Sequence, residues 1–228
     1  MGYRPVEFAV GEWYHCYSRT IDHSRPFEET LNTRRFLETL YLANSSKPIP
    51  NIPKLHARYQ HEEIFRLPCE NPLVAVGCYC IMPTHYHFLL QPLVENGISH
   101  YMQKVGIGFT KFYNEHNNRI GNLFVKPFRA KHIDTDQYLD RVVPYIHLNP
   151  VELFEAEWKR GVVRRPYSLV QDLRNYEQSS LFEHEGGVRP QSAILNLEAL
   201  EQVRDNATDA VKLLADAAEY YQFLDLDI

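Results

Sequence analysis

Two histidines one residue apart stand in an apolar run, Met82-Pro83-Thr84-His85-Tyr86-His87-Phe88-Leu89-Leu90, whose composition reads as a buried strand. In a strand, side chains at i and i+2 share a face, so His85 and His87 present their imidazoles together. Adjacent imidazoles are costly to bury unless something uses them, and a divalent metal ion is the common user. Further along, Tyr145-Ile146-His147-Leu148-Asn149-Pro150 places a phenol and an amide at i and i+4, one turn apart on one helix face. Two imidazoles and the Asn149 oxygen suit Mg²⁺ or Mn²⁺ with water positions left open, and the Tyr145 phenol is then a nucleophile for a metal-polarised phosphodiester.

Other groups compete for these roles. Tyr138 lies seven residues before Tyr145 and shares its face in an unbroken helix, but it has no Asn four residues on. It is the rival nucleophile. Tyr86 points to the opposite strand face and reads as core. Cys78 and Cys80 share a strand face and read as small buried hydrophobes; the alternative is that one of them joins the histidines on zinc.

These groups need elements to hold them. Residues 13–18 alternate aromatic and small side chains and predict a first strand, and residues 27–43 carry apolar side chains at helical spacing. A proline-rich connection follows over 44–71, with room for a short extra element. Residues 73–81 and 85–91 predict a hairpin about a tight turn at Met82-Pro83-Thr84. Residues 97–114 predict a second long helix with Ser99 as its cap, and 128–133 a fourth strand. The helix carrying Tyr145 starts near Asp136, capped by Asp134 or Thr135. Pro144 lacks the amide that would bond to Asp140, so the helix is either kinked there or begins anew at Pro144.

The order β-α-β-β-α-β-α predicts an α+β, ferredoxin-like fold: a four-stranded antiparallel sheet with helices on one face, extended by one helix. A catalytic domain over 1–176 and an acidic, mainly helical extension over 177–228 are expected, the latter with one or two helices between 192 and 224. Nowhere in the 228 residues is there an apolar run long enough to cross a membrane, and the N-terminus lacks a signal-peptide core, so a cytoplasmic protein is expected.

The net charge of −5 hides an uneven distribution: residues 177–228 carry −8 and the rest +3. Lys104, Lys111, Arg119, Lys126, Arg129 and Lys131 cluster against Glu115 and Asp134 alone. Five of them (Lys104, Lys111, Lys126, Arg129 and Lys131) lie on or near elements that frame the histidine strand and are candidates for phosphate contact. Phe112, Tyr113, Phe124 and Phe128 are interleaved with them, as stacking platforms for bases or, more simply, as core. Arg164-Arg165-Pro166-Tyr167 is either a contact to a hairpin stem or a surface turn.

Together, Met82-Pro83-Thr84-His85-Tyr86-His87, Phe128-Arg129-Ala130 and Tyr145-Ile146-His147-Leu148-Asn149-Pro150-Val151 resemble the single-tyrosine HUH transposases, and most of all their REP-associated tyrosine (IS200-like) branch. The similarity spans roughly residues 14–168. The resemblance implies a ferredoxin-like fold and a metal-dependent single-stranded DNA endonuclease and strand transferase acting beside a hairpin. It implies His85, His87 and Asn149 as ligands of Mg²⁺ or Mn²⁺, and Tyr145 as the nucleophile that leaves a 5′-phosphotyrosine and a free 3′-OH, without ATP. Glu152 departs from the pattern, since relatives often place a basic residue there. His147 reads as structural or DNA-facing.

Two rivals stand beside this reading: a non-catalytic, domesticated nucleic-acid-binding module, and a zinc hydrolase using Cys78 or Cys80 with the histidines. Single-stranded DNA with a REP-like hairpin is the expected partner, no membrane is involved, and a monomer is favoured over a dimer. The acidic extension is either a packed cap or a competitor of DNA for the basic face.

Overall fold

The computed structural model describes residues 6–158 and 164–203, together with Val211 and Leu214. Strand β1 (Trp13–Arg19) leads through two short 3₁₀ turns into helix α1 (Thr30–Ala43). The proline-rich connection holds two short helices, α2 (Ile52–His56) and α3 (His61–Ile64). Hairpin strands β2 (Val74–Met82) and β3 (His85–Pro92) precede helix α4 (Gly97–His116), strand β4 (Arg129–Ile133) and helix α5 (Asp136–Leu148). The strands form one antiparallel sheet in the order β2-β3-β1-β4. This is the ferredoxin-like arrangement that the element order predicts.

Strand alternation divides the sheet between two cores. Tyr14, Cys16, Tyr86, Phe88 and Leu90 point to the face covered by α1 and α4, where Phe36, Leu40, Val105 and Phe109 complete the larger cluster. Cys80, Met82 and Leu89 point the other way, against Leu139, Val142, Val143 and Ile146 of α5. The two crossover helices share one face, as expected; α5 closes the second. Gly77 sits at a register shift in β2, and a Cβ there would stand 2.9 Å from the Trp13 ring and 3.0 Å from Leu89, so the close approach requires glycine.

Caps decide where the helices begin. The Thr135 hydroxyl accepts from the Tyr138 amide at 3.2 Å and starts α5, one of the two candidates at that position. Helix α4 starts instead from Asn96 in the left-handed region (φ 59°), so Ser99 lies inside the helix. Helix α5 runs through Pro144 without restarting. In the long connection, the buried Glu38 carboxylate accepts from His56 Nε2 at 3.0 Å and His61 Nδ1 at 2.7 Å, which ties α2 and α3 to α1.

After α5 come helices α6 (Val151–Phe154), α7 (Pro166–Arg174), α8 (Leu181–His184) and α9 (Leu197–Glu201). The chain past α7 seals the outer edge of β2: Ile81 N donates to Gln178 O at 2.9 Å, Ser180 N to Tyr79 O at 3.0 Å, and Asn196 N to Val76 O at 2.9 Å. An ion pair between the buried Glu183 and the half-buried Arg189 (2.6 Å) holds that segment together. Most of the expected helix over 192–224 lies outside the described residues. No described helix is long and apolar enough to cross a membrane.

Candidate active site

The site lies on the α5 face of the sheet. His85 opens β3, where the turn before it is pinned by Thr20, whose amide donates to Thr84 O at 2.8 Å and whose hydroxyl lies 3.0 Å from the same oxygen. Thr84 Oγ1 in turn lies 3.0 Å from His85 Nδ1 and fixes the ring. His87 follows at i+2, fully buried, its ring centre 5.1 Å from that of His85. The alternation rule therefore puts both imidazoles on one face, and Tyr86 in the opposite core.

A third histidine joins them. His15 of β1 is completely buried, and its Nε2 lies 2.9 Å from His87 Nδ1, so one imidazole donates to the other. Burial, and then the charge of Lys131, pull its pKa from 6.5 to about 3. At neutral pH His15 is uncharged and can accept a hydrogen bond. With His87 donating from Nδ1, the Nε2 of His87 keeps the lone pair that a cation needs. The sequence carried a signal for His15: it and Tyr17 are two residues apart in an apolar strand, as are His85 and His87. Only the sheet order shows that β1 lies beside β3.

Helix α5 delivers the phenol. The Tyr145 ring packs edge-on against both histidines, with centres 5.6 Å from His87 and 5.8 Å from His15. Tyr138, the rival, lies instead beneath Lys131, whose Nζ is 4.9 Å from its ring centre. Tyr145 is buried, and that burial, followed by the charge of Glu152, raises its pKa well above the ordinary phenol value. The hydroxyl is thus protonated in the resting protein.

Asn149 follows one turn later at the end of α5. Its Nδ2 donates to Tyr145 O at 2.8 Å, so the amide nitrogen is turned back onto the helix and Oδ1 is the atom left to coordinate. Two imidazoles and an amide oxygen, with no thiolate, are donor types that suit a hard cation keeping water ligands. Among the described residues, no three His, Cys, Asp or Glu side chains gather in a metal-binding group. Cys78 and Cys80 are buried in the apolar cluster, and burial holds the Cys80 thiol well above its usual pKa. The zinc reading thus finds no ligand set.

The remaining candidates divide. Lys104 donates to the backbone oxygens of Ser45 and Lys47 (2.6 Å to Lys47) and fastens the long connection to α4. Lys111 pairs loosely with Glu115 at 3.9 Å on an exposed face. Lys126, before β4, and Arg129, its first residue, are exposed, and Lys131 sits over Tyr138. His147 is buried, with Nε2 3.0 Å from Ser180 Oγ, and is structural. Arg164 and Arg165 pair with Glu157 and Glu155. Phe124 is core, while Phe128 is half-buried.

No sequence-family model matches this chain, and neither does any curated protein. Among solved structures, one described as a REP-associated tyrosine transposase bound to a REP hairpin is similar in fold, with a TM-score of 0.51. At 13% identity the likeness covers 84% of this chain and 90% of that one. It agrees, at the level of fold, with the family that the three motifs resemble.

Proposed function

We propose that this chain is a single-strand-specific DNA nicking and joining enzyme acting at hairpin-flanked sites, with Tyr145 as its nucleophile. The observation that carries the reading is the packing of the Tyr145 ring against the His15–His87 pair, with Asn149 one helical turn on. The fold likeness to a transposase bound to hairpin DNA supports the choice of substrate.

His85, His87 and Asn149 would hold the divalent cation. Bound there, Mg²⁺ or Mn²⁺ supplies Lewis-acid polarisation of a phosphodiester oxygen. The Tyr145 oxygen attacks phosphorus while the bond from phosphorus to the 3′ oxygen breaks. One strand end is left as a 5′-phosphotyrosine and the other as a free 3′-OH. The phenol gives up a proton and the departing oxygen takes one up, so the exchange is proton-neutral. A second 3′-OH reverses the chemistry on another strand, and no nucleotide cofactor is consumed. His15 keeps the His87 ring oriented, and the apolar wall of α5 limits water, a competing acceptor for the phosphotyrosine.

A labelled single-stranded hairpin oligonucleotide incubated with the protein and Mn²⁺ should yield a covalent adduct on a denaturing gel. Tyr145→Phe should abolish the adduct and leave DNA binding largely intact. An adduct from the Phe variant would assign the nucleophile elsewhere. The burial of Tyr145, only 4% exposed, favours one second reading, a domesticated module that binds DNA without cutting it. Binding without any metal-dependent nicking by the wild-type protein is its signature.

A further inference from the structure

A groove of about 500 Å³ runs along α4. One wall is a stripe of α4 at helical spacing: Gln103, Gly106, Ile107 and Thr110. The opposite wall is the segment entering β4, with Lys126 and Phe128. A second, smaller depression shares Ser18, Val125 and Pro127 with the groove. It is lined further by Tyr17, Arg19 and Arg129. Tyr17 stacks on His87 with ring centres 5.7 Å apart. The two depressions therefore adjoin, and the smaller one borders the candidate active site through Tyr17.

We infer that this track binds the unpaired strand that flanks the cleavage point. The inference rests on the proposed function for its polarity and on the lining for its chemistry. Arg19, Lys126 and Arg129 are exposed along the track, and no carboxylate lines either depression. An anionic chain is the complementary occupant. A single strand lays its phosphates along cations and its base faces on aromatic or apolar side chains. Phe128 is half-buried and Ile107 is 56% exposed on opposing walls, which gives the bases such surfaces. Gln103, Thr110 and Ser99 supply donors and acceptors between them.

Gly106 offers a clean test. It lines the groove, and a Cβ added there meets nothing within 4 Å. The backbone at 106 therefore accepts a Cβ without a clash, and replacing a mid-helix glycine favours the helix. We would measure binding of a fluorescent, unstructured oligonucleotide to Tyr145→Phe protein without added metal, so that chemistry plays no part. Gly106→Leu should weaken binding at least ten-fold with an unchanged or raised melting temperature. Lys126→Ala and Arg19→Ala should each lower the dependence of log affinity on log salt by about 0.7, one phosphate contact apiece.

Unchanged affinity in the folded Gly106→Leu variant overturns the assignment. So does equal competition by a poly-glutamate peptide, which would mark a generic anion surface. Covalent adducts from wild type with no effect at Gly106 refute the groove alone. Loss of binding at Gly106 with no adduct from wild type refutes the enzyme and leaves the groove.

Discussion

Replacing His15 with alanine probes the least expected part of the site. His15 has no exposed surface, and its hydrogen bond of 2.9 Å is to the ring nitrogen of His87 that faces away from the cation position assigned to Nε2. Truncation leaves a buried polar nitrogen without that partner, at a cost of about 1–3 kcal/mol in stability. It also frees the His87 ring to rotate and to exchange tautomers. Loss of such supporting partners lowers metal affinity by about 10–100-fold, which is about 1.4–2.7 kcal/mol. Manganese binding followed by electron paramagnetic resonance, in a Tyr145→Phe background, reads the second effect separately from thermal unfolding. His15→Gln, which retains an acceptor oxygen, should recover part of the affinity. A folded His15→Ala protein that binds Mn²⁺ as tightly as its parent would refute the positioning role.

The same imidazole predicts a pH signature. Its folded-state pKa, about 3, lies below the unfolded value of 6.5, so stability is full above about pH 6.5 and falls towards pH 3 by up to about 1.4 kcal/mol per unit. Urea midpoints for His15→Gln should therefore depend less on pH over that window than those of wild type. Glu38→Ala strands His56, His61 and Arg35 around a buried cavity, and should lower unfolding free energy by about 3 kcal/mol; a change below about 0.5 kcal/mol would mean that α2 and α3 are held otherwise. Lys104→Ala should lower the melting temperature through its lost carbonyl contacts while single-strand affinity stays constant, the reverse of Lys126→Ala. His85→Ala and His87→Ala should both abolish adduct formation in Mn²⁺, and retention of adducts by either would remove that residue from the ligand set.

Strand periodicity made the histidine face legible, because the i, i+2 rule needs no knowledge of neighbouring strands. Helical periodicity did the same for Tyr145 and Asn149, and Pro144 proved compatible with a continuous α5. The turn and cap residues located most boundaries to within a few positions. What depended on sheet order was hidden: His15 becomes part of the site only because β1 lies between β3 and β4. Charge was a poor guide for a related reason. Lys104 and Lys126 look alike in sequence, yet one reaches two backbone oxygens across a packed interface and the other stands in solvent.

The arrangement of edges constrains how a polynucleotide can approach. The outer edge of β2 is occupied by residues 178–180 and by Asn196, whose backbone groups take up its hydrogen bonds. From above, α5 covers the histidine face, and α1 and α4 cover the other. Strand β4 is short, and four of its five residues have appreciable exposure. Its start borders the smaller depression, with Arg129 in β4 and Arg19 at the paired end of β1. A strand passing along this margin meets the guanidinium groups of Arg19 and Arg129. On this geometry the acidity of residues 177–198 matters little to binding, since their described portion packs on the opposite edge of the sheet. Neutralising Arg19 and Arg129 should therefore slow association far more than neutralising Glu177 and Glu185 speeds it, a comparison that stopped-flow mixing at two salt concentrations can make.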